Sequence, residues 1–171
     1  MEHRRYVRWV NASKVLEKVR PYMLVVAQGL GRLDAKLISE DAGPPQAPGD
    51  PVAATAEGLR LMDHLTLSYL WVLGAYELVR TIDQRCREDR SLFPHQTTAH
   101  LTTLKHQFER LRIPLAKMEP AKRYRQTDGP IAFPAIHQTR GLAWQVSPNH
   151  FIPRRDLSDA FLAFLEQAST Q

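Results

Sequence analysis

Few side chains in this sequence are equipped for chemistry, and several of them sit among arginines. Cys86 is the only thiol, and Arg85, Arg87 and Arg90 surround it. Neighbouring cations lower a thiol pKa and favour the nucleophilic thiolate. The competing reading is a small side chain near a helix end, inert once buried. His95, His100 and His106 share one segment, but separations of five and six residues turn them to different faces of a helix. Zinc needs ligands that converge, and only His106 with Glu109 has suitable spacing. The Glu-x-x-His motif of di-iron bundles is absent, as are the Gly-x-Ser-x-Gly elbow and the Gly-x-x-x-x-Gly-Lys-Ser/Thr phosphate loop. Gly29-Leu-Gly31 falls inside a helical stripe, with Asp34 where a dinucleotide loop has its third glycine, so it reads as helix. No metal and no cofactor is expected.

Two basic clusters point to anions instead. Lys122, Arg123 and Arg125, with Tyr124 interleaved, bind phosphates as point charges and offer a ring for a base to stack on. Arg154 and Arg155 stand just before the last predicted helix, where cations oppose the helix dipole. Two guanidinium groups beside the free amides of a helix start suit an anion. If the intervening segment folds back, the two clusters flank one positive surface for nucleic acid or an acidic protein.

Arg90-Ser-Leu-Phe-Pro-His95 is an Arg-x4-His placed between two predicted helices. It resembles the motif of HEPN ribonucleases, all-helical proteins in which Arg and His from paired subunits cleave RNA. The resemblance covers these six residues. It implies a metal-independent ribonuclease with Arg90 and His95 as catalytic residues, although Pro94 departs from the motif's regular helical geometry.

The elements that must carry these residues are helices. Leu101, Leu104, Phe108, Leu111, Leu115 and Met118, spaced 3, 4, 3, 4, 3, predict a helix from about His95 to Met118, with Pro114 a point of interruption. Leu16, Val19, Met23, Val26, Leu30, Leu33 and Leu37 keep one phase across Pro21 and predict one long kinked helix from Tyr6 to Ser39. Gly29 and Gly31 within it permit close approach of a neighbour. Leu59, Met62, Thr66, Tyr69, Leu73 and Tyr76 mark a helix from about Thr55 to Arg87–Arg90. Its middle is apolar on more than one face, which predicts the central, most buried helix. Beyond Pro120, Ile131–Ile136 and Leu142–Val146 read as strands around a Thr139-Arg140-Gly141 turn, and Pro134 confines the first to an edge. Asp156 is placed as the N-cap of a short last helix with Leu157, Phe161, Phe164 and Leu165 on its apolar side.

The expected fold is therefore mainly α. It is a bundle of three long helices with a small C-terminal β-hairpin and a short terminal helix, in one domain over 1–171. Residues 41–52, rich in proline and glycine, form an exposed mobile loop, and 119–155 hold the hairpin and irregular segment. A length of 171 residues supports a core without disulfides, and the single cysteine suits a reducing, cytoplasmic setting. No secretory signal and no membrane-spanning run is visible. The formal charge is +5, distributed as +4 over 1–20, −3 over 21–100 and +4 over 101–171. Arginine outnumbers lysine 17 to 6, so composition alone explains much of the basic total. Leu67, Leu70 and Trp71 lie off the main stripe, a surplus of apolar surface that a homodimer would bury. The expected function is a non-enzymatic interaction or regulatory protein.

Overall fold

The computed structural model describes residues 2–41 and 51–170. Among these, five α-helices and a three-stranded antiparallel sheet follow one another as α1 (His3–Ser13), α2 (Pro21–Asp41), α3 (Pro51–Glu88), α4 (His95–Lys117), β1 (Phe133–His137), β2 (Gly141–Ser147), β3 (His150–Pro153) and α5 (Arg154–Ser169). Short 3-10 turns occupy Lys14–Lys18 and Lys122–Tyr124. The predicted 41–52 loop is narrower than expected, since Asp41 closes α2 and Pro51 opens α3; residues 42–50 lie outside the described residues.

The long kinked helix is in fact two helices. The Val19 and Arg20 amides both donate to the Leu16 carbonyl, the chain turns, and Pro21 opens α2 at a position that needs no N–H. Folding back buries Leu16 and Met23 from both arms, which is why one apolar phase survives the break. The arms run antiparallel, since the Glu2 amide donates to the Ala35 carbonyl at 3.0 Å. Gly31 is where they cross. A β-carbon there would run into the Trp9 Cβ and Cγ, whereas one at Gly29 would meet nothing within 4 Å.

In α4, Leu101, Leu104, Phe108 and Leu111 are buried, as their spacing predicts. Pro114 does not interrupt the helix, which continues to Lys117 and stops at Met118 in the left-handed conformation (φ 55°). The central helix is α5, not α3. Phe161, Leu162, Phe164, Leu165 and Ala168 are all fully buried, and Phe161 packs edge-on against both Trp9 (5.4 Å) and Phe108 (6.2 Å). α5 also starts two residues before Asp156, directly from β3, with Pro153 as N-cap. The middle of α3 is inward on one side only: Trp71, Val72 and Ala75 are buried, while Leu70 is 52% exposed.

The sheet has the order β1-β2-β3, with Pro134 on edge strand β1 as expected. The third strand has no strong alternation of its own and pairs with β2 around a bulge between Gln145 and Ser147. β2 supplies the buried face through Leu142, Ala143, Trp144 and Val146.

Candidate functional site

Two features stand apart from ordinary core packing. The first is a chain of charges that runs through the interior. Asp34 of α2 is fully buried and accepts three hydrogen bonds, from Arg5 Nε (2.5 Å), Trp9 Nε1 (2.9 Å) and Arg154 Nη1 (2.6 Å). Arg5 continues to Ser158 Oγ (2.8 Å) and Asp159 (2.7 Å) on α5. Arg154 is also fully buried, lies over the Trp71 ring, and reaches Asp41 at 3.2 Å. Asp41 in turn accepts the Leu142 amide (3.1 Å) and meets His64 Nε2 at 2.9 Å, while His64 Nδ1 lies 3.2 Å from Glu40. Gly141, at φ +71°, makes room for this carboxylate, because a β-carbon there would coincide with the Asp41 side chain.

His64 ends the chain in a cleft of about 520 Å³ between the start of α3, the end of α2 and the β1–β2 turn, walled by Leu61, Leu67, Ile136 and Leu142. The hydrogen bond to Asp41 raises the His64 pKa, burial opposes it, and Glu40 adds to the rise. Asp41 is held below the usual carboxylate range. Burial pushes it up, but the His64 bond, the Arg154 charge and the Leu142 amide together outweigh that. Both ring nitrogens of His64 face carboxylates, so the protonated ring donates to Asp41 and Glu40 together and both nitrogens are engaged within the protein. The arrangement clamps α2 to α3. Its pH dependence has a definite sign: the folded state holds the His64 proton more tightly than the ordinary value of 6.5, so the stabilisation is complete below that pH and lost as pH rises through the raised pKa. Urea midpoints should therefore fall over that interval in the native chain. His64→Gln should remove this slope, and an unchanged slope would assign it to another group.

The second feature is the outward face of α2 and α3. At 38 residues, α3 is roughly 57 Å long against roughly 31 Å for the 21 residues of α2. Contact of His64 with Glu40 and Asp41, and of Trp71 and Gly74 with Leu30, fixes the two helices antiparallel. Residues of α3 before His64 thus extend past the end of α2. On the outward side, Leu59 (64%), Met62 (59%) and Leu70 (52%) of α3 are exposed, and Tyr22 (76%) and Val25 (62%) are exposed near the start of α2, level with the part of α3 beyond Gly74. The Leu59–Tyr76 stripe, which the spacing assigns to the core, is covered at Tyr76 and uncovered at Leu59 and Met62.

The sequence-derived residues are divided by this geometry. Of Leu67, Leu70 and Trp71, only Leu70 faces out. Leu67 lines the cleft, and Trp71 is fully buried with its indole N–H donating to the Leu30 carbonyl, since successive helical residues turn by about 100°. Arg154 does hold an anion at a helix start, but the anion is internal, Asp34 and Asp41, so it cannot join a surface patch. Arg155 is half-exposed, and Lys122, Arg123 and Arg125 are exposed without ion-pair partners among the described residues. Arg90 and His95 are both exposed, on the turn after α3 and at the first position of α4. Burial first, then Asp83 and Asp89, pushes the Cys86 thiol up to about 11, the inert reading of that residue. Among the described residues no group of three His, Cys, Asp or Glu is placed to hold a metal ion, and no helix is long and apolar enough to cross a membrane.

No family model, curated protein or solved structure matches the chain.

Sequence reasoning missed Asp34, Arg5, Asp41 and His64. One signal was present: Asp34 is an acid on the inner side of an apolar helix, three residues before Leu37, and a buried acid demands cations.

Proposed function

We propose that this chain is a non-enzymatic interaction module that works as a homodimer, associating through the outward face of α2 and α3. The observation that carries the reading is the uncovered part of the α3 stripe, Leu59 and Met62, with Leu70 exposed beside the stripe, while Tyr22 and Val25 are exposed on α2. Exposed large apolar side chains favour association, each gaining up to about 1.5–3 kcal/mol on full burial. The polar chemistry supports the same reading: His64 is engaged on both nitrogens and Cys86 is protonated and buried.

Light scattering from about 1 to 100 µM brackets the range in which such an interface associates. The mass should rise from 19.6 kDa toward twice that value. Leu59→Gln with Met62→Gln should return it to the monomer with little change in urea stability, because both side chains are exposed. A constant monomeric mass across the range sinks the proposal.

A further inference from the structure

Building on that reading, we infer that the two copies meet antiparallel about a two-fold axis at Thr66, with Arg32 of each copy paired to the partner's Asp63. A two-fold interface is isologous: if one residue touches a second, the second touches the first in return. The exposed stripe of α3 is heptad-spaced, and Thr66, small and exposed, sits between its apolar members. Rotation about Thr66 sets Leu59 against the partner's Leu73 and Met62 against the partner's Tyr69.

Charge decides between this and a parallel arrangement. Arg32 shares the exposed side of α2 with Tyr22 and Val25, and Asp63 is exposed on α3 next to Met62. Neither has an ion-pair partner among the described residues. The contacts of Leu30 with Trp71 and Gly74, and of Asp41 with His64, set Arg32 beside residues 70–72 of its own α3. A two-fold at Thr66 carries that level onto residues 60–62 of the other copy. Asp63 of the partner subunit is then within one turn, inside the reach of an arginine. Two reciprocal pairs form. A parallel dimer about the same stripe carries the two α2 helices to opposite sides of the α3 pair, so Arg32 meets no Asp63 and the two Asp63 carboxylates stand level across the axis, which opposes association.

Charge reversal and cross-linking test this with variants whose changes are all on the exposed surface. Arg32→Asp and Asp63→Arg should each raise the dimer Kd roughly tenfold, since each breaks both pairs and creates repulsion. The double variant, with the charges exchanged, should recover most of the native affinity. Under mild oxidation Thr66→Cys should give a disulfide-linked dimer and Leu59→Cys should not, because only the residue on the axis meets its own copy. A native chain that dimerises while the double variant stays as weak as the singles, or while Leu59→Cys cross-links as readily as Thr66→Cys, overturns the antiparallel arrangement and leaves self-association standing. A native chain that remains monomeric overturns both.

Discussion

Alanine in place of Asp34 should cost about 3–5 kcal/mol of folding stability, read as a fall in the urea midpoint. The carboxylate is fully buried and answers three donors, two of them guanidinium groups. Without it, Arg154 keeps only Asp41, and Arg5 keeps Ser158 and Asp159, so charge is left in the interior with too little to balance it. The decisive comparison replaces the whole group. Arg5→Met with Asp34→Leu and Arg154→Met removes the charges together, and the loss should be well below that of Asp34→Ala. Exchanging a buried ionic set for apolar groups of similar volume is often neutral or stabilising, because desolvation cancels much of the attraction. Asp159 retains Arg140 at 2.6 Å and Asp41 retains His64, so neither is stranded in the triple variant. If the triple variant is as unstable as the single, the cost lies in shape or in the Trp9 N–H that both variants leave without its acceptor, and not in charge. The network joins α1, α2, α3, α5 and the start of β2, so its charges are all answered only when these elements meet in this one arrangement.

Alanine at Gly31 and alanine at Gly29 should change stability in opposite directions. The two glycines lie on one helix, two residues apart, and each gives up roughly 0.5–1 kcal/mol relative to alanine for its backbone freedom. At Gly29 nothing stands within 4 Å of the added carbon, so Gly29→Ala should gain that amount. At Gly31 the carbon runs into Trp9, and the indole cannot step aside. Its N–H is held by Asp34 at 2.9 Å and its ring is packed edge-on against Phe161. Overpacking of this kind costs about 1–3 kcal/mol, so Gly31→Ala should be a net loss. Thermal midpoints at a dilution where the chain is monomeric would measure both. A gain at both positions would mean that α1 and α2 are not in close contact at Trp9.

What the sequence by itself determined is the set of elements whose signal is local. The Leu101–Leu111 stripe of α4, the edge position of Pro134 and the Thr139-Arg140-Gly141 turn follow from 3.6-residue periodicity, a missing N–H and turn chemistry, each acting within a few residues. The apolar phase that survives Pro21 predicts one kinked helix where there are two, because two antiparallel arms present one face to the same core. The tertiary structure alone decided where charge goes. Arg154 looked like a surface cation misplaced at a helix start, and its answering carboxylate is 120 residues away; Asp41 and the Leu142 amide are 101 apart. Nothing in local spacing encodes such pairs. Burial follows the same rule: a helical stripe says which side is apolar, but only the lengths and crossings of neighbouring helices decide how far along that side is covered, and α3 outruns α2 before its stripe ends.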